Sequence, residues 1–183
     1  VSLLLHVCSA MLVWMIVRRL LAMVGEKGAL LEILSPLAAG LFLLHPVNTE
    51  SVAYVASRSE AMSIFFFLAA YAIFVCRPGP VISWIRTILV LVFFGLAVGT
   101  KEHTVVLPVL LLMTDYFFTT PFRWEGIRGN LRLYVPIAIG AVLGGVAVWR
   151  VLSTAQTAGF KVKEFTWYQY LFCLLYTSPS PRD

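Results

Sequence analysis

Charge is scarce in this chain. Asp, Glu, Lys and Arg make up 13% of its 183 residues, against 60% hydrophobic residues and a mean hydropathy of +0.89. That scarcity excludes a soluble domain of this size, which needs no such number of apolar runs of helix-spanning length. It also excludes nucleic acid as a partner, because the formal charge of +5 has to be read loop by loop along a membrane chain. Cysteine is nearly absent. Cys8, Cys76 and Cys173 form neither a CxxC pair nor a His/Cys ligand spacing, so disulfide and cysteine–metal roles are not expected. Nucleotide and hydrolase signatures are missing too: no GxGxxG follows a strand, and no P-loop, HExxH or GxSxG occurs. There is no internal repeat, no low-complexity tract and no basic n-region of a signal peptide.

What remains is a polytopic, all-α membrane helix bundle of about six transmembrane helices and the start of a seventh near Trp167. The expected spans are Val1–Val17, closed by Arg18-Arg19, then Ala29–Leu44, Ala61–Cys76, Thr87–Val98, Val105–Phe118 and Leu133–Val151. The second rises only about 24 Å at 1.5 Å per residue, so it is short for a bilayer core of about 30 Å. The sixth carries Gly140, Ala141, Gly144, Gly145 and Ala147, a face suited to close helix packing. His6 lies inside the first span, where a histidine either packs or faces a cavity.

One polar stretch, His45 to Glu60, interrupts this pattern most strongly. Pro46 cannot continue the incoming helix, and Asn48 or Thr49 can cap a new one with Glu50 in its first turn. On that helix Glu50, Tyr54, Ser57 and Arg58 share one stripe, opposite Val52, Val55 and Ala56. Such a helix lies at the membrane surface and presents a carboxylate, a phenol and a guanidinium together.

Six alternating spans sort the cations. Arg18, Arg19, Lys27, Arg77, Arg86, Arg123, Arg128 and Arg132 fall on one side, and Arg58, Lys101, Arg150, Lys161 and Lys163 on the other. The richer side is expected to be cytoplasmic. His45, Glu50, Arg58, Glu60, Lys101, Glu102 and His103 then converge on the extracytoplasmic side. Lys101, just before a helix N-terminus, and Arg58 with its bidentate fork suit a phosphate. Glu50, Glu60 and Glu102 can orient these cations, bind a divalent metal or hold sugar hydroxyls. The combination points to a lipid-linked phosphate whose tail stays in the bilayer. A transporter of small solutes and a non-catalytic membrane scaffold are the competing readings. Ionisable residues at span ends disfavour transport, whose sites usually lie near the midplane.

Three stretches carry a family resemblance: Leu4-Leu5-His6; His45-Pro46-Val47-Asn48-Thr49-Glu50-Ser51-Val52 with Ser57-Arg58-Ser59-Glu60; and Lys101-Glu102-His103-Thr104-Val105-Val106-Leu107-Pro108 with Asp115. Together they resemble the transmembrane and tetratricopeptide-repeat O-mannosyltransferase family and its bacterial relatives, departing from that pattern at Asn48 and His103. The resemblance implies a C-type glycosyltransferase membrane fold over residues 1–172. It implies transfer of a sugar, typically mannose, from a polyprenyl-phosphate carrier to a protein hydroxyl with inversion. The setting would be a bacterial inner membrane or the endoplasmic reticulum membrane. Arg58, Lys101 and Glu50 would bind substrate, with His45, Glu60, Glu102 and His103 in support. The lipid-linked sugar would be the donor, with a divalent metal as an optional cofactor, and the acidic general base would belong to a loop upstream of Val1. The family's carboxy-terminal repeats are not in this chain, so it is expected to be a fragment, inactive alone. Residues Cys173–Asp183 resemble a translated sequencing adapter and are expected to be a non-native tail.

Overall fold

The computed structural model describes residues 2–46, 58–119 and 122–154. Glu50, the Asn48/Thr49 cap, the segment beyond Thr154 and the 173–183 tail lie outside the described residues. Among the described residues the chain is helical, with seven α-helices and no strand. It divides into two compact units, Val1–Ile137 and Ala138–Asp183.

In the first unit, α1 (Ser2–Val24) and α2 (Ala29–Leu44) form a helical hairpin. Its turn is tight because Gly25 (φ 96°) and Gly28 (φ 75°) take left-handed conformations that cost glycine little. α1 does not end at Arg18-Arg19 as the sequence predicts. Both guanidiniums find acceptors there: Arg18 donates to Glu32 at 2.8 Å, and Arg19 to the carbonyls of Val75 and Arg77 at 3.3 and 2.9 Å. At the opposite end of the hairpin, His6 Nε2 meets the Leu43 carbonyl at 3.1 Å, and its ring stacks on Phe42. That carbonyl belongs to the last turn of α2, where the helical ladder leaves acceptors unused. His6 is therefore a packing histidine.

α3 (Arg58–Val75) and α4 (Trp84–Thr100) make the second hairpin, joined through Arg77-Pro78-Gly79-Pro80. They run antiparallel, since Arg86 reaches the Cys76 carbonyl at one end while Lys101 reaches Glu60 at the other. α3 also packs on α1. Ala69, Ala70 and Ala72 are buried along it, and small side chains of this kind let helix backbones approach closely.

The expected fifth span is three helix types in series. A 3-10 turn, Glu102–Val106, leads into α5 (Leu107–Thr114), and a π turn, Asp115–Thr119, ends it. Pro108 sits in the first turn of α5, where its missing N–H has no ladder partner to lose. α6 (Glu125–Gly129) occupies part of what the sequence predicts as a polar connection, and α7 (Leu131–Thr154) follows. The core gathers Ile16, Tyr71, Phe74, Val75, Ile82, Val90, Leu107, Leu111, Leu133 and Ile137. Most of it lies toward the end of the bundle where α3 finishes and α4 begins.

Two helices, Ser2–Val24 and Arg58–Val75, are long and apolar enough to cross a membrane. Ala29–Leu44, Trp84–Thr100 and Leu131–Val146 are apolar but shorter, so among the described residues two of the about six expected spans reach full length. The outward faces of the helices are greasy: Leu4, Ile33, Leu41, Ile85, Ile88 and Val109 are each more than half exposed. In the second unit, described as far as Thr154, α7 continues, and Gly140, Ala141, Gly144 and Gly145 are exposed.

Candidate functional site

The site expected from sequence lies where α2 ends, α3 begins and α4 ends. Thr100 closes α4, and Lys101 turns extended (φ −152°, ψ 131°) before the 3-10 turn starts at Glu102. The break is reinforced locally: the Thr104 hydroxyl donates to the Lys101 carbonyl at 2.7 Å, and Thr104 is buried. This anchors the backbone and leaves the Lys101 side chain to reach across to α3. Its ammonium lies 3.2 Å from Glu60 Oε2, and the two side chains are 35% and 37% exposed. An ion pair this open to solvent contributes only about 0–1 kcal/mol to stability, so holding the fold is not what it chiefly does.

The other expected residues are distributed around this pair. Arg58, the first residue of α3, is exposed and makes no hydrogen bond or ion pair among the described residues, so it is not joined to Lys101 directly. Glu102 and His45 are exposed, the latter as the C-cap of α2. His103 is exposed and borders an apolar crevice of about 330 Å³ with Phe42, Ile64, Phe67 and Leu68. Glu50 lies outside the described residues. The structure thus brings Glu60 and Lys101 together, with His103 two residues after the lysine. Among the described residues no group of three or more His, Cys, Asp or Glu side chains is arranged to hold a metal.

At the opposite end the structure assembles a cluster that the sequence reading did not. Asp115, wholly buried in the π turn, pairs with Arg77, itself 3% exposed. Asp115 Oδ1 also accepts the Thr119 hydroxyl at 3.1 Å. Its Oδ2 accepts the Tyr134 hydroxyl at 2.7 Å and the Asn130 amide at 2.8 Å. Asn130 Oδ1 in turn accepts the Ile82 N–H at 2.8 Å, and its Nδ2 faces the carbonyls of Pro80 and Gly126 at 3.0 Å. Four donors saturate the carboxylate, and no buried side-chain polar atom among the described residues lacks a partner. With no lone pair spare for a substrate proton, Asp115 ties the Arg77–Ile82 loop to the start of α7. Its signal was present in the sequence: a lone acid in an apolar run demands a partner, and Arg77 was the cation at the matching end of the neighbouring span.

Arginines also close α3. Arg19 donates to Val75 and Arg77, Arg77 to Phe74, and Arg86 to Cys76. Cations at a helix C-terminus meet both its orphan carbonyls and the negative end of its dipole.

Comparison with known proteins gives a partial match. Over 85 residues the chain is 44% identical to the protein O-mannosyl-transferase TMTC3 of Mus musculus. It resembles an O-mannosyl-transferase. TMTC3 of Homo sapiens is 42% identical over the same length. Each match covers 45% of this chain and 9% of the relative, so the chain spans less than a tenth of the length of the curated relatives it matches. No family model and no solved structure matches the chain.

Proposed function

We propose that this chain is part of a membrane protein O-mannosyltransferase that takes its sugar from a polyprenyl-phosphate carrier. The carrying observation is the 44% identity to TMTC3 over 85 residues, a protein whose name states that activity. The pairing of Lys101 with Glu60 at a bundle end supports it, because the ammonium is placed by its backbone and held by a carboxylate it can exchange for phosphate. In this reading Lys101 and Arg58 bind the donor phosphate at the extracytoplasmic face, and Glu50 organises Arg58. Glu60 keeps Lys101 in position when the site is empty, with His45, Glu102 and His103 around it. An acidic loop upstream of Val1 supplies the base that deprotonates the acceptor hydroxyl, so residues 1–172 bind donor and transfer nothing alone. Asp115 is not that base, being saturated by Arg77, Thr119, Asn130 and Tyr134.

The test is binding of a mannosyl phosphoryl polyprenol to the chain in neutral detergent. Lys101→Met removes a charged hydrogen bond and lowers affinity about ten- to a hundredfold. Equal binding by wild type and variant overturns the reading.

A further inference from the structure

The arginine-capped end of α3 opens on a second crevice, remote from Lys101. It measures about 340 Å³ and is lined by Arg19, Met23, Val75, Arg77, Phe118 and Thr119 together with the 78–80 loop. We infer that this crevice is a site for the phosphate of an anionic phospholipid, with Arg19 as the ligating cation.

Charge accounting singles out Arg19. Arg77 is neutralised by Asp115, and Arg18 by Glu32. Arg19 has no carboxylate partner among the described residues. It spends Nε and Nη2 on the Val75 and Arg77 carbonyls, while Nη1 makes no hydrogen bond among them. A guanidinium stays charged at any accessible pH, so this is a permanent cation at the crevice wall. Two backbone acceptors already hold it, so a ligand need not pay the ordering entropy of a loose arginine. Arg86, also without a carboxylate among the described residues, adds charge from the neighbouring Cys76 carbonyl.

The walls argue for a lipid over a free anion. Met23, Val75 and Phe118 give the crevice an apolar side, and Val24 beside it is 65% exposed. A phosphate at Nη1 would leave its glycerol and first methylenes against these groups. Basic crevices between membrane helices suit anionic headgroups in this way, above all on the cytoplasmic side, where the sequence places Arg18, Arg19 and Arg77.

The test uses the full chain in neutral detergent, titrated with phosphatidylglycerol or phosphatidylcholine of matched acyl chains and read by native mass spectrometry. Phosphatidylglycerol should bind about five- to tenfold more tightly, the worth of one well-placed cation. Arg19→Gln should reduce it to the phosphatidylcholine level, and Met23→Trp should do the same by filling the crevice with the charge intact. Arg18→Gln should leave it unchanged. The inference fails if the two lipids bind alike, or if Arg18→Gln matches Arg19→Gln. It fails as a lipid site if inorganic phosphate binds as strongly as phosphatidylglycerol. Should Arg19→Gln not fold, Met23→Trp decides: retained preference for phosphatidylglycerol overturns the proposal.

Discussion

Arg77 and Asp115, 38 residues apart, form an ion pair sealed from solvent by Tyr134 and Asn130. Breaking such a pair from one side strands the other charge. Asp115→Asn should therefore destabilise the protein by about 3–5 kcal/mol in detergent unfolding. Replacing both, Arg77→Met with Asp115→Leu, should recover the part of that loss due to the stranded charge, leaving the cost of the Tyr134 and Asn130 donors that lose the carboxylate. A silent Asp115→Asn would mean that the network does not hold this end together.

Asn130→Ala should cost about 1–3 kcal/mol, since it leaves the buried Ile82 N–H without an acceptor. Hydrogen exchange should localise the effect: the Ile82 amide should lose protection before the amides of α3 do. Uniform loss across both would contradict an anchoring role.

Glu60 and Lys101 should behave oppositely to the buried pair. Lys101→Met and Glu60→Gln should each change stability by no more than about 1 kcal/mol, as befits a pair roughly one-third exposed. Donor binding should fall sharply in Lys101→Met and mildly in Glu60→Gln. Comparable losses of stability and binding in Lys101→Met would assign the lysine to the fold.

Topology can be read with single cysteines in a background lacking Cys8, Cys76 and Cys173. Thr100 and Gly79 sit at opposite ends of the α3–α4 hairpin. Cysteines there should react with an impermeant thiol reagent from opposite sides of the membrane. Labelling from one side would remove α4 from the membrane and with it the two-faced arrangement of the sites.

His6→Phe keeps the stack on Phe42 and deletes the donor to the Leu43 carbonyl. The expected cost is about 0.5–1.5 kcal/mol, read from the unfolding midpoint. A larger loss accompanied by altered donor binding would move His6 from packing to function.

Among the described residues the longer helices were legible from apolar runs and their breakers, such as Pro78, Gly79 and Gly28, whereas α6 was read as a polar connection. Helix ends were not. Arg18 and Arg19 look like a terminus in sequence, yet they lie within α1 because Glu32 and the carbonyls of Val75 and Arg77 receive them, contacts set by tertiary packing. The Lys101 break was visible, and so was its glutamate-rich company. That Glu60, and not Arg58, would meet Lys101 depends on the rotation of α3 against α4, which no periodicity specifies. Asn130 went unread inside a polar connection, since an asparagine that organises a buried loop looks in sequence like any turn residue.

The arginines that close α3 have a mechanical meaning. Arg19 comes from α1, Arg86 from α4 and Arg77 from the loop between α3 and α4, and all three grip backbone at the end of α3. A piston stroke of one turn, about 5.4 Å, would tear the bonds from Arg19 and Arg86 at once, while the Arg77 bond travels with α3. At the opposite end, among the described residues, α3 meets Lys101 through the solvent-screened carboxylate of Glu60. Sliding of α3 along its own axis is therefore resisted at the arginine end by charged donors that come from two other helices.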